Sequence, residues 1–279
     1  MRLGGSICTA YHSPREWLEL VKEAGYTCIV FPVDSRADRK TTDEYIRICR
    51  DNDLVIGEVG IWRNLYAKDE KEAAENLEYS FRQLELAEYT GANCCVNVSG
   101  SMGSAWDGFH AGNYLKSTWD RTVEITQRII DTVRPEKTCY TLEPMPWMCP
   151  DSPEQYLELI RQVDRKQFAV HMDYTNMISG LDRFINNTAF IKKCFTLLAP
   201  YIRSVHLKDA IVEETALPCH ISEAVPGDGL LDLETVLREC AKLDRDIPVF
   251  TEHMDRDEDY RRAVRYLRAL GKEKEIEIL

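Results

Sequence analysis

Short apolar runs rich in β-branched residues alternate with amphipathic helical periods along the whole chain. The runs predict strands at about 3–9, 27–33, 55–62, 94–99, 139–144, 168–174, 202–209 and 248–253. Between them the helical period predicts helices at about 14–24, 42–52, 69–90, 117–134, 153–163, 182–199, 232–243 and 257–269. Local chemistry punctuates several of these. Ser13-Pro14 and Ser152-Pro153-Glu154 offer a capping hydroxyl followed by a proline that suits a first helical turn, and Thr42 to Tyr45 carries an acidic first turn. Gly25 and Gly91 stand where a helix must leave through left-handed backbone.

Eight strands alternating with eight helices, without a Gly/Ser/Pro-rich linker, predict a single (β/α)8 TIM barrel of the α/β class over residues 1–279. The rival, a doubly wound open sheet, wants a glycine-rich phosphate turn between an early strand and its helix. Gly4-Gly5-Ser6 falls inside the first predicted strand with no helix start at the right distance, so the barrel is the expected fold. One connection is overlong. Residues 210–230, with Pro218, Pro226, Gly227 and Gly229, are expected to form a loop at the functional end of the barrel, placed to cover a substrate.

Composition narrows the partners. With 44% hydrophobic and 29% charged residues the chain has ample material for a core. A formal net charge of -12 argues against a nucleic-acid or anionic-membrane surface, both of which need a basic footprint. No apolar run approaches the roughly 18 residues of a membrane span, and Met1-Arg2 leads straight into the first predicted strand. Of the ten cysteines, Cys8, Cys28, Cys94, Cys95 and Cys139 lie in apolar runs, where a free thiol behaves as a small hydrophobe, and no CxxC pair occurs. A reducing, cytoplasmic setting is the expectation.

The chemistry sits at the ends of four successive strands. Glu143, Asp173, His206 and Glu252 close the runs CYTLE, FAVHMD, IRSVH and PVFTE, each followed by loop residues and a helical pattern. Side chains at the C-terminal ends of barrel strands are where this architecture builds active sites. Glu143 and Asp173 are 30 residues apart and Asp173 and His206 are 33 apart, close to the roughly 31 of one βα unit in a 250-residue barrel. A lone carboxylate at such a position is more often a cap or a surface charge; four in succession call for a shared role. Two Glu, one Asp and one His form an oxygen-rich set suited to a hard or borderline divalent cation. The long side chains come from the outer strands and the short Asp173 from nearer the middle, as convergence on one ion requires. A divalent ion chelated by a ketone oxygen and its neighbouring hydroxyl acidifies the adjacent C–H, and two carboxylates on opposite sides of that carbon can exchange its proton.

LEP at Glu143, MDYTN at Asp173, VHLKD at His206 and TEH at Glu252 resemble the xylose-isomerase-like TIM-barrel superfamily of sugar isomerases and epimerases, and the likeness extends over essentially the whole chain. The resemblance implies that Glu143, Asp173, His206 and Glu252 bind Mn²⁺, Co²⁺ or Mg²⁺ beneath a sugar, with Zn²⁺ also open. It implies that Glu143 and Glu252 shuttle protons, and that the chain forms a homodimer or homotetramer. Two departures narrow it. Ketohexose 3-epimerases of the superfamily place a histidine three residues after the sixth-strand Asp, where this chain has Asn176, which can hold a hydroxyl but cannot trade protons. The apurinic-site endonucleases carry an Asp-x-His after the seventh strand; here Pro218-Cys219-His220 stands instead, so His220 is read as a loop residue.

Further substrate contacts are expected from Lys208, which shares a strand face with His206, and from Asn176, Trp62, Trp147 and His12 near the same mouth. Glu58, a charge inside the buried run VIGEVGIW, is grouped with them because a buried charge has a partner or a job. His171 is expected one layer below Asp173, and His253, of opposite parity to Glu252, should face the helices. Three functions follow. The leading one is a sugar or polyol isomerase or epimerase working through a metal-stabilised enediolate. A keto-sugar or inosose dehydratase, or another lyase, uses the same intermediate but expels a hydroxyl; a non-catalytic sugar-binding barrel is the third.

Overall fold

The computed structural model describes residues 1–279. Ser13 caps α1 (Pro14–Ala24) by accepting the Glu16 N–H at 3.2 Å, and Ser152 caps α5 (Pro153–Val163) through Gln155. Gly25 (φ 73°) and Gly91 (φ 74°) release α1 and α3 (Glu70–Thr90) through left-handed backbone. The second helix, α2 (Arg39–Asp51), starts three residues before the expected Thr42, because the Asp38 carboxylate captures the Thr41 N–H at 2.9 Å. The other helices are α4 (Lys116–Val133), α6 (Leu181–Ile185), α7 (Asn187–Leu198), α8 (Leu233–Cys240) and α9 (Asp257–Glu273). The expected helix 182–199 is thus broken at Asn186.

The strands are β1 (Arg2–Gly4), β2 (Cys28–Val30), β3 (Val55–Gly60), β4 (Cys94–Asn97), β5 (Cys139–Leu142), β6 (Phe168–Asp173), β7 (Ile202–Leu207), β8 (Asp209–Val212), β9 (Ile221–Ala224) and β10 (Pro248–Thr251). Eight of them form one parallel sheet in the order β1-β10-β7-β6-β5-β4-β3-β2, with helices between consecutive strands: a TIM barrel. Its seam is stitched by Thr27, whose N–H donates to the Leu3 carbonyl at 2.8 Å and whose hydroxyl accepts the Leu3 N–H at 3.1 Å. β1 is shorter than the expected 3–9. Its chain leaves the sheet at Gly4, and the Cys8 and Thr9 N–H groups bond the Asp257 carboxylate instead, leaving Cys8 exposed.

Phe250 fills the barrel floor. A Cβ on Gly57 would come within 2.7 Å of its ring and one on Gly4 within 2.6 Å, so both strands need glycine there. Above this plug lies a buried polar layer, Glu58, His171 and Ser204, and above that the pair Asp173 and His206, which are register partners across β6 and β7. Tyr156 of α5 fastens the two strands that end in Glu143 and Asp173. Its buried hydroxyl lies 2.6 Å from the Leu142 carbonyl and 3.0 Å from that of Ala169, and accepts the Leu142 N–H at 3.2 Å.

The 210–230 connection is not a plain loop. β8 and β9 pair antiparallel into an arm that rises from the end of β7 over the barrel mouth. Its return is gathered by one buried side chain: the Asp209 carboxylate accepts the Gly227, Gly229 and Leu231 N–H groups, each at 3.0 Å. The Gly227 and Gly229 N–H groups are thus taken by Asp209 and that of Asp228 by the Val225 carbonyl at 2.8 Å, so all three are satisfied within the turn. No helix is long and apolar enough to cross a membrane.

Candidate metal centre

Glu143, Asp173, His206 and Glu252 come from β5, β6, β7 and β10 or the residue just beyond, four consecutive positions around the sheet. Each offers a donor atom, and these atoms all lie within 4.8 Å of one another. His206 Nδ1 is 2.9 Å from Glu252 Oε2, 3.2 Å from Glu143 Oε1 and 3.9 Å from Asp173 Oδ2. Donors at 2.0–2.2 Å from one ion stand about 3 Å apart when adjacent and about 4.2 Å when opposite, so these separations suit a shared cation. Two of the oxygens, Asp173 Oδ2 and Glu252 Oε2, are buried without a well-aligned hydrogen bond, and the Lys208 ammonium stands 2.9 Å from each, a cation already occupying charge that an ion would share. Three carboxylates and one imidazole match a divalent metal in charge and softness.

Charge is organised around the set. Burial pushes the Glu143 carboxyl above the usual carboxylate range, and the Glu252 charge adds to it. Glu252 goes the other way: burial opposes its charge, but His206 and Lys208 outweigh burial and hold it well below that range. Burial also opposes the charge on His206, yet Glu252, Glu58 and Glu143 raise its pKa well above that of an ordinary imidazole. Lys208, 2% exposed, directs its ammonium into the same cluster, 2.9 Å from both Asp173 and Glu252 and 3.3 Å from Glu223. These charges overcome its desolvation and keep it protonated.

The expected substrate contacts divide. Asn176 sits at the centre: its amide donates to Glu143 Oε1 at 3.1 Å and its carbonyl accepts from Lys208 at 3.3 Å. Its own N–H is fixed to Asp173 Oδ1 at 2.8 Å. Trp147 lines a cavity of about 910 Å³ that opens beside the cluster, together with Asn176 and His253. Glu58 is not a mouth residue. It lies beneath the cluster, 3.5 Å from His206 Nε2 and 3.2 Å from His171 Nδ1, and accepts a hydrogen bond from Ser204. Burial opposes its charge, but His171 and His206 hold its carboxyl far below the usual range. Trp62 folds back over Gly60 and His12 is exposed beside α1, its N–H on Glu16; neither lines the cavity.

His253 reverses its expected orientation. The paired strand ends at Thr251 and its alternation carries on to Glu252, but a left-handed backbone (φ 58°) at the next residue turns His253 back over the mouth. There its Nδ1 lies 2.8 Å from Glu223 and 3.3 Å from the Lys208 ammonium. The Glu223 hydrogen bond raises the His253 pKa above an ordinary imidazole's. His171 does lie one layer below Asp173, buried and edge-on to His206 with ring centroids 4.0 Å apart. Sequence reasoning missed Glu223, an acid in the β8–β9 arm far along the chain from any barrel strand, and Phe109 and Tyr114, which reach the cavity from the long β4–α4 connection.

The model for the xylose isomerase-like TIM barrel family matches residues 18–270, and the chain belongs to that family. Among solved structures it is similar to the probable 3-DHS dehydratase AsbF, involved in petrobactin synthesis, from Bacillus anthracis, with TM-score 0.72 and 16% identity over 95% of this chain and 98% of that one. A D-psicose 3-epimerase from Clostridium cellulolyticum H10 superposes with TM-score 0.69 and 13% identity over 97% and 99% of the two chains. A xylose isomerase-like TIM-barrel protein from Mycobacterium smegmatis, solved in complex with magnesium, gives 0.68 and 14% over 94% and 90%. At these identities the structures share the fold. No curated protein matches the sequence.

Proposed function

We propose that this chain is a divalent-metal-dependent sugar or polyol isomerase or epimerase that moves a proton next to a carbonyl. The observation that carries the reading is the convergence of four donor atoms from four adjacent strands within 4.8 Å. Glu143, Asp173, His206 and Glu252 are the ion's ligands, with Mn²⁺ the favoured occupant and Co²⁺, Mg²⁺ or Zn²⁺ as alternatives. Bound there, the ion supplies Lewis acidity that polarises a carbonyl and acidifies its neighbouring C–H.

The chain's own residues handle the proton and hold the substrate. In the metal-free protein their surroundings push the Glu143 and Glu252 carboxyls in opposite directions, so the two are not equivalent. Glu252 takes the proton from the carbon next to the carbonyl, and Glu143, on the other side, is placed to return one. Lys208 supports a developing oxyanion and Asn176 orients a hydroxyl. Trp147 offers a ring to the sugar's apolar face. The ten free cysteines, seven of them buried, favour a reducing cytoplasm.

The hydrogen-bonded His253–Glu223 pair beside Lys208 favours a second reading. A protonated imidazole at the rim can deliver a proton to a departing hydroxyl, which would make the protein a keto-sugar or inosose dehydratase.

Elemental analysis of purified protein, followed by incubation with ketoses and inososes in D₂O, tests both. About one ion per chain, lost in His206→Ala, with deuterium entering a carbon next to a carbonyl at constant substrate mass, supports the isomerase. Loss of water from the substrate supports the lyase. A wild type that binds no divalent ion after reconstitution sinks the central claim and leaves a non-catalytic barrel.

A further inference from the structure

The cavity beside the four-ligand set is far larger than a monosaccharide needs. Its 910 Å³ lies near the top of the roughly 300–1,000 Å³ range of pockets that enclose drug-sized ligands. It joins the cluster through Asn176, Glu223 and His253, so one molecule can occupy both.

Its walls are apolar and aromatic. Phe109, Tyr114, Trp147, Ile178, Leu181 and Ile221 come from four separate connections. Phe109 is 68% and Tyr114 53% exposed, a concentration of apolar surface that marks a binding site. The polar tips of two rings are already spent. Trp147 Nε1 donates to the Asp107 carbonyl at 2.6 Å and the Tyr114 hydroxyl to the Pro146 carbonyl at 3.3 Å. These bonds lock the rings in place and leave their faces to the cavity.

A phosphate is poorly served here. The only basic lining residue is His253, already paired with Glu223, and Lys208 is held among Asp173 and Glu252. The carboxylates of Asp107 and Glu223 also line the space and would repel an anion.

We propose that this cavity receives an aromatic group carried by an unphosphorylated sugar or polyol, so that the substrate is an aryl conjugate. The inference rests on reading the four-residue set as the sugar-binding centre. Flat rings bury large apolar area against Trp147 and Phe109 and stack with them, whereas a second sugar would leave that apolar wall unmatched.

Calorimetric titration of ion-loaded protein, its metal content assayed on the same sample, compares phenyl with methyl 3-keto-β-glycosides of glucose, galactose and xylose, which keep a carbonyl beside a hydroxyl, alongside cellobiose and glucose 6-phosphate. At least one phenyl glycoside should bind about tenfold or more tighter than its methyl partner. Phe109→Ala and Leu181→Asn should each erase that advantage while methyl-glycoside binding is kept. No phenyl advantage on ion-loaded protein, including no binding by any of the panel, overturns the proposal and leaves the metal centre standing. Tighter binding of cellobiose or glucose 6-phosphate overturns it in favour of an oligosaccharide or a phosphorylated substrate. A stable dimer in sedimentation that Trp147→Ala dissociates overturns it in favour of a second copy of the chain. Protein that takes up no ion overturns the parent reading instead.

Discussion

His206 Nε2 faces Glu58 Oε2 at 3.5 Å, while Nδ1 on the other side of the ring faces Glu252 at 2.9 Å and Glu143 at 3.2 Å. The charge of the buried carboxylate beneath favours a proton on Nε2 and leaves Nδ1 facing the donor cluster, the arrangement in which an outer carboxylate orients a metal-binding histidine and raises its basicity. Glu58→Gln keeps the shape but removes the charge. It should leave the barrel folded and weaken ion binding about 10- to 100-fold, read by titration against a chelator of known affinity. Unchanged affinity would show that the Nε2 partner is structural only.

Lys208 brings a positive charge to the place where an ion is expected, 2.9 Å from both Asp173 and Glu252. In metal-free protein it offsets carboxylates that would otherwise repel one another. Lys208→Met should therefore cost the metal-free protein about 3–5 kcal/mol, the usual price of leaving buried charges unpartnered. The same change removes a competing cation, so ion binding should tighten. Denaturant unfolding with and without Mn²⁺ reads both effects: the variant's deficit should shrink when the ion is present.

Proton linkage gives a third expectation. In the metal-free protein the His206 pKa is raised above its unfolded value, so its stabilising contribution is fully present below about 6.5 and is lost as pH rises through the folded pKa. An ion on Nδ1 must displace the proton carried there. Binding should release close to one proton near neutral pH, and affinity should strengthen about tenfold per pH unit until the folded pKa is passed. Calorimetry in buffers of different ionisation enthalpy counts the protons. Glu58, with its pKa depressed, contributes in the opposite window: its stabilisation is present above the unfolded carboxylate pKa and fades as pH falls below it.

The convergence of the four donor residues was legible because strand alternation carries through to the ends of the strands. Glu143, Asp173, His206 and Glu252 lie on or one residue beyond β5, β6, β7 and β10, where the period of two still sets direction. His253 marks where that logic ends. One residue further along, a left-handed backbone cancels the parity and brings the ring over the mouth. Glu58 was legible as a charge needing a partner, but its layer was not, since depth within the barrel depends on register between neighbouring strands. The β3–β4 ladder places Glu58 opposite Cys94, low in the barrel. Glu223 and the aromatic wall were out of reach for another reason. The β8–β9 arm and the β4–α4 connection take their positions from tertiary contacts, such as the Tyr114 hydroxyl on Pro146, and leave no periodic trace in sequence.

Tyr156 converts helix position into ligand position. Its hydroxyl, fully buried, meets backbone groups of Leu142 and Ala169 and so ties β5 to β6 one residue before Glu143. Tyr156→Phe leaves those groups short of a partner and should cost about 1–3 kcal/mol, measured by urea unfolding. Because the lost bonds lie next to Glu143, a fall in ion affinity should accompany the lost stability.

The β8–β9 arm offers the sharpest separation of stability from function. Asp209 accepts three N–H groups from the turn that follows β9 at 3.0 Å, and a Cβ on Gly229 would collide with its carboxylate. Only an acceptor suits this position, because every facing group is a donor. Asp209→Asn can turn only its carbonyl oxygen to them and leaves an NH₂ facing an N–H, a loss of about 1–3 kcal/mol of local interaction. The core strands do not depend on this turn, so the effect should fall on the arm rather than on global unfolding. Limited proteolysis should cut faster within 213–220, the exposed tip, while the far-UV spectrum and melting profile of the barrel stay close to wild type. Glu223 rides on the same arm and reaches Lys208 at 3.3 Å, so loosening the arm should raise KM more than it lowers kcat. An equal fall in both proteolytic resistance and global stability would mean that the arm folds as one unit with the barrel.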